Sequence, residues 1–259
     1  MNLLHSAILG VVEGVTEFLP ISSTGHLILA SNLLRIEQTE FLKTFEIAIQ
    51  SGAILAVIFL YRRTLLSRLD LAKKILVAFI PTAVIGFFLY KFIKQYLIGN
   101  SDVVLISLFV GGILLIGVEL LFKRKPQTSP KSLTFLTYEK SFVIGLFQSI
   151  AVIPGVSRSA STIIGGMLLG IDRKTATEFS FLLAVPTMLA ATALDLKETN
   201  LLNLTTYQLT TLSVGFVVSF FVAMAAIKWL VKYVETNTFI PFGIYRILIS
   251  LLYFLLILK

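Results

Sequence analysis

Apolar and polar positions fall in long blocks along this chain. Six apolar stretches lie at about 44–61, 75–93, 103–122, 177–195, 209–230 and 239–258. Each is close to the roughly 20 residues that carry a helix across a bilayer. Two further stretches, 1–30 and 141–170, are apolar but broken in the middle, one at Pro20 and the other at Pro154-Gly155. A polar burst sits at each break. Irregular backbone at membrane depth is tolerated only where protein or a water-filled cavity satisfies it. Both stretches are therefore read as re-entrant helix–loop–helix hairpins. The expected fold class is an all-α polytopic membrane protein, with six transmembrane helices and two hairpins in one membrane domain.

Charge orients these elements. The loop after Leu60 carries Arg62, Arg63, Arg68, Lys73 and Lys74, and the loop after Phe122 carries Lys123, Arg124, Lys125, Lys131 and Lys140. Residues 91–102 carry only Lys91 and Lys94, and residues 196–208 only Lys197. The positive-inside rule places the two basic loops in the cytoplasm. The first hairpin then dips in from outside and the second from inside. Their sequences match: Gly10, Glu13, Pro20 and Ser22-Ser23 against Gly145, Gln148, Pro154, Ser157 and Ser159, with one gap. Opposite entry and internal similarity mark an inverted-topology repeat with its site at the midplane. The expected repeats are about 1–122 and 141–259, joined by a cytoplasmic loop at about 123–140.

Composition agrees. Hydrophobic residues make up 56% of the chain and charged ones 14%, with mean hydropathy +0.91. Soluble domains are about one quarter charged. No cleavable signal peptide is expected, because the start lacks a basic segment and Glu13 and Glu17 interrupt the apolar run. The absence of cysteine excludes disulfides, zinc-thiolate sites and thiol catalysis. The net charge of +8 fits loops against anionic lipid, so the partner is the bilayer and not nucleic acid.

Candidate chemistry is confined to the two breaks. The first reads Glu13-Gly-Val-Thr-Glu17-Phe-Leu-Pro20-Ile-Ser22-Ser23-Thr24-Gly25-His26. Glu13 and Glu17 share a helix face. They suit a divalent-metal site of hard oxygens, or a general base with its neighbour; helix-end glutamates in interfacial water are the plainer alternative. His26 stands three residues after Ser23 and suits proton transfer with a nucleophilic hydroxyl, oriented by Glu17. The second break reads Pro154-Gly155-Val156-Ser157-Arg158-Ser159-Ala160-Ser161-Thr162. A helix N-terminus capped by Ser157, beside a fork-shaped guanidinium, suits an anion. Arg158 paired with Glu178 for structure alone is the alternative. Glu46, Gln50 and Glu178 either line a cavity or mark helix ends, while Glu119 and Arg246 read as structural or interfacial. Carboxylates, hydroxyls, a histidine and an arginine on opposed hairpins suit phosphoryl transfer.

Both bursts resemble the signature motifs of the bacterial undecaprenyl-pyrophosphate phosphatases, the bacitracin-resistance family, and the resemblance spans essentially the whole chain. It implies removal of the terminal phosphate from a C55 prenyl pyrophosphate, recycling the lipid carrier of peptidoglycan synthesis. A divalent cation, Mg2+ or Ca2+, is implied on Glu13 and Glu17. So are an inverted-repeat fold in the bacterial cytoplasmic membrane and a site open to the outer face. By the resemblance Glu17, Ser23, His26 and Arg158 are the core, and Ser22, Thr24, Ser157, Ser159 and Thr162 help to bind phosphate. Ser23 is the chosen nucleophile, though Ser22 or a metal-bound water fits the same residues. A homodimer is left open.

Two other classes fit parts of the pattern. Broken helices in an inverted repeat are also a transporter architecture, and a flippase of a polyprenyl phosphate would use the same anion site. The hydroxyl–histidine–carboxylate set favours an enzyme. A histidine-nucleophile lipid phosphatase needs two catalytic histidines, and besides His26 only His5 is present, away from the motif.

Overall fold

The computed structural model describes residues 1–37, 39–97, 100–123, 133, 136–198 and 204–257. Ten α-helices are described: α1 (Leu3–Thr16), α2 (Ser23–Leu33), α3 (Glu40–Ser67), α4 (Leu69–Phe92), α5 (Ser101–Lys123), α6 (Tyr138–Ser149), α7 (Arg158–Leu168), α8 (Arg173–Glu198), α9 (Thr206–Thr236) and α10 (Ile240–Ile257). No strand occurs among the described residues. Five helices are long and apolar enough to cross a membrane: Glu40–Ser67, Leu69–Leu89, Ser101–Phe122, Arg173–Leu194 and Thr206–Thr236. The protein is a multi-pass membrane protein. α10 stands where the sixth span was expected; it is apolar, but its Ile240–Leu255 stretch is shorter than the other five. Arg124, Lys125 and Lys131, which helped to orient the chain, lie outside the described residues.

Each broken stretch folds as two short helices packed side by side, α1 on α2 and α6 on α7. Local chemistry sets their ends. Asn2 Oδ1 accepts from the His5 amide at 2.8 Å, and Thr137 Oγ1 from the Lys140 amide at 3.2 Å, satisfying free first-turn N–H groups. α2 and α7 begin after Ser22 and Ser157, both with positive φ, 72° and 74°. Both helices end alike. The amides of Ile36 and Arg35 bond to Ser31 and Asn32 carbonyls, and those of Ile171 and Gly170 to Gly166 and Met167, the left-handed closure of a Schellman motif.

One spacing relates all these pairs: Asn2 to Thr137, Gly10 to Gly145, Glu13 to Gln148, Ser22 to Ser157 and Ile36 to Ile171. The gap expected from aligning Pro20 with Pro154 is therefore absent. Pro20 matches Gly155, because the conserved geometry is that of the Ser22 and Ser157 caps and not that of the proline.

Packing follows the same relation. α1 lies along α9, as α6 lies along α4; α3 packs on α8 and α5 on α10. Small residues allow close approach of helices in a membrane. A Cβ on Gly10 would stand 2.7 Å from the Gly215 carbonyl, and one on Gly145 would overlap the Ala78 carbonyl. The first turn is itself core: Phe18, Leu19 and Ile21 pack with residues of α3, α7, α8 and α9. Glu119, wholly buried, accepts from Arg173 Nε and Nη2 at 2.8 and 2.7 Å and from the Phe239 amide at 2.9 Å. That ties α5, α8 and the start of α10 together.

Candidate active site

The two turns meet in the interior. Glu17 caps α1 with helical φ and ψ, its amide bonding to the Glu13 carbonyl at 2.9 Å, so the two carboxylates do share a face. Glu17 Oε1 accepts from Arg158 Nη2 at 3.2 Å, and Glu17 Oε2 accepts from Ser23 Oγ. One carboxylate thus joins a hydroxyl of the first hairpin to the guanidinium of the second. Arg158 also donates from Nη1 to the Ser180 carbonyl at 3.0 Å, and its guanidinium stands over the Phe18 ring. Its ion-pair partner is Glu17, not Glu178.

Beside this pair lies a cavity of about 440 Å³ lined by both polar and apolar side chains. Glu17, Ser22, Ser23, Thr24, Ser157 and Arg158 are among its polar lining. Phe79, Phe87, Met188 and Leu194, from α4 and α8, supply apolar surface. Gln50 also lines the cavity, as do Gln148, Thr82 and Thr187. Gln148 Nε2 donates to Thr82 and Thr187 at 2.9 and 3.0 Å. Gln148 was visible in the sequence only as the counterpart of Glu13; Thr82 and Thr187 carried no motif.

Not every expected residue faces the cavity. Ser159 Oγ donates to the Phe18 carbonyl at 2.8 Å, and Thr162 Oγ1 lies 2.6 Å from Ser180 Oγ. Both are buried and staple α7 to its neighbours. Neither lines the cavity, and in this structure both hydroxyls bond within the protein. His26 is likewise engaged away from Ser23. A carbonyl can only accept, so Nδ1 carries a proton and donates to Ser22 O at 2.7 Å. Nε2 then faces Tyr245 Oη, also at 2.7 Å. The expected imidazole between Ser23 and Glu17 is not the arrangement formed, because Glu17 reaches Ser23 directly. Tyr245 was missed: a tyrosine on an apolar helix looks like an ordinary membrane residue until the fold brings it to α2.

Glu13 is 1% exposed, and neither carboxylate oxygen has a hydrogen-bond partner. It interacts electrostatically with Glu17, Glu46 and Arg158. Among the described residues no group of three or more His, Cys, Asp or Glu side chains has metal-binding geometry.

The fold and site define a multi-pass helical membrane protein with a hydroxyl–carboxylate–guanidinium cluster held between two broken hairpins. Residues 6–252 match the family described as bacitracin resistance protein BacA, and the chain belongs to that family. It is similar to proteins named undecaprenyl-diphosphatase in several bacteria. The one from Sulfurihydrogenibium sp. (strain YO3AOP1) is 55% identical over 98% of this chain and 99% of the relative. That from Aquifex aeolicus (strain VF5) is 51% identical over 96% of each. That from Campylobacter jejuni subsp. jejuni serotype O:2 is 48% identical over 99% of this chain and 95% of the relative.

Proposed function

We infer that this chain is an undecaprenyl-diphosphatase, hydrolysing the C55 prenyl pyrophosphate to the monophosphate and inorganic phosphate. The observation that carries this reading is the Ser23–Glu17–Arg158 chain lining a cavity that also presents apolar side chains. A pyrophosphate on a prenyl tail combines the same two chemistries.

Arg158 binds the terminal phosphate and offsets its charge. Ser23 Oγ attacks the terminal phosphorus, a serine–phosphorus bond forms, and the anhydride bond breaks to release the lipid monophosphate. The Ser23 proton passes to Glu17, already in hydrogen-bond contact. Water then cleaves the phosphoserine, giving inorganic phosphate and free Ser23. Ser22, Thr24 and Ser157 line the path of the phosphate oxygens. His26 acts as a support: it grips the carbonyl of Ser22, whose positive φ is costly for a non-glycine residue, and so holds the turn from which Ser23 projects. Glu13 and Glu17 would hold a divalent cation, Mg2+ or Ca2+. The buried oxygens of Glu13, which have no hydrogen-bond partner, fit one. Such an ion would neutralise the negative charge that builds up on the phosphate.

Single-turnover reactions with labelled terminal phosphate test the reading. A phosphoserine trapped at Ser23 supports it, and a Ser23→Ala variant with near wild-type rate refutes it. Phosphate release by purified protein in detergent separates hydrolysis from lipid transport.

The topology belongs to the same proposal: six crossing helices, two re-entrant hairpins, and repeats of about 1–122 and 141–259 inverted in the membrane, with the site opening outward. Length supports it. Hairpin arms of 14, 11, 12 and 11 residues are about 16–21 Å long at 1.5 Å per residue, short of a core about 30 Å thick. The paired packing of α1 on α9 and α6 on α4 supports the repeat. The chain has no cysteine, so single cysteines report cleanly. Cysteines at Glu37, Asn100 and Thr205 are expected to react with an impermeant thiol reagent outside, and those at Ser67, Thr137 and Asn237 only inside. Labelling of Glu37 and Ser67 from one side refutes the arrangement.

A further inference from the structure

Arg246, in α10, is wholly buried. None of the ion pairs among the described residues includes it. Its guanidinium is spent on backbone carbonyls. Nη1 donates to Pro20 O at 3.3 Å, Nη2 to Gly155 and Val156 O at 3.1 Å each, Nη2 to Ser107 O at 3.0 Å, and Nε to Leu108 O at 3.3 Å. Three of these carbonyls belong to the two hairpin turns, where the helical ladder is interrupted and acceptors lack partners. Buried polar backbone deep in a membrane must find partners inside the protein. The five donors of a planar fork answer several at once.

The geometry points to Arg246 as a positioning residue that sets the spacing between the reacting hydroxyl and the phosphate-binding guanidinium. Pro20 lies three residues before Ser23, and Val156 two before Arg158. One rigid fork therefore holds both turns against the same α5 backbone. The inference rests on the site proposed above. It adds a residue outside both motifs that makes no hydrogen bond to Ser23, Glu17 or Arg158 and reaches the cavity lining only through the Gly155 carbonyl. Space around the fork is closed: a Cβ on Gly111 of α5 would overlap Arg246 Nη2.

The test is phosphate release from C55 prenyl pyrophosphate by monodisperse protein in detergent, with kcat and KM read separately. Arg246→Lys keeps the charge but loses the fork. Its kcat is expected to fall on the order of tenfold to a hundredfold, the scale of a displacement of about 1 Å, with KM within about twofold. Gly111→Ala leaves Arg246 in place, favours the α5 helix and pushes the fork aside; it is expected to lower kcat less, again at constant KM. In an Arg158→Lys background, Arg246→Lys is expected to cost less than about threefold more, because groups acting as a unit are non-additive. Wild-type kcat in both Arg246→Lys and Gly111→Ala overturns the inference, as does a full multiplicative loss in the double variant. If Arg246→Lys does not fold, Gly111→Ala decides alone. Ser23→Ala and Arg158→Lys run beside these report on the site itself: wild-type rates there defeat the active-site reading whatever Arg246 does.

Discussion

Glu17→Gln isolates the central bond of the proposed site. The carboxylate divides its oxygens, Oε1 to Arg158 and Oε2 to Ser23. Glutamine has the same shape but one oxygen. An amide nitrogen facing Arg158 Nη2 would set donor against donor, so the oxygen turns to Arg158 and the NH2 to Ser23. Ser23 then becomes an acceptor, and its proton has no base. A positioned general base contributes roughly 10²–10⁴-fold, or about 3–5 kcal/mol of barrier. Breaking a buried ion pair costs about 3–5 kcal/mol of stability. The lower end applies here, since Arg158 keeps the Ser180 carbonyl and borders the cavity. The variant should therefore fold and fail to turn over. The assay is single-turnover release of labelled phosphate at saturating cation, with size-exclusion and thermal melts as controls. A rate within about threefold of wild type refutes Glu17 as the base.

Three further outcomes follow from particular contacts. Tyr245→Phe removes the hydroxyl facing His26 Nε2; it should cost about 1 kcal/mol in stability and lower kcat less than about tenfold, and a loss as large as that of Glu17→Gln would instead place His26 in the proton path. Glu13→Gln should raise the cation concentration for half-maximal rate while leaving the saturated rate within about tenfold, and full wild-type activity after exhaustive chelation removes the metal from the proposal. Gly145→Val should separate α6 from α4, costing about 1–3 kcal/mol or more in a thermal melt; an unchanged melting temperature contradicts the close packing of those helices.

The helical class and the two broken stretches were legible because each is a property of a short run of chain. Apolar length, proline and the density of polar groups act on neighbours in sequence. The acidic, hydroxyl and arginine residues at the breaks were legible for a related reason: polar groups are so costly in an apolar run that their presence already implies a site. The exact correspondence of the hairpins was not. Proline is conspicuous in sequence, but the caps at Ser22 and Ser157 are set by backbone torsion and give an ungapped relation.

Which side chains meet was decided only by packing. Ser23 and His26 share a helix, and a local argument pairs them. The turn at Phe18–Ile21 folds back far enough for Glu17 to reach Ser23 first, while α10 brings Tyr245 to His26 from 219 positions away. Ser159 and Thr162 sit in the motif beside Arg158, and only the fold shows their hydroxyls bonded to the first turn and to α8. Arg246 carries no motif at all; its role exists only because α5, α10 and both turns converge on one point. Local sequence thus determined where helices form and where they break. The hydrogen-bond partners at the breaks depended on how closely helices from opposite halves of the chain could approach, through small residues such as Gly10, Gly111 and Gly145.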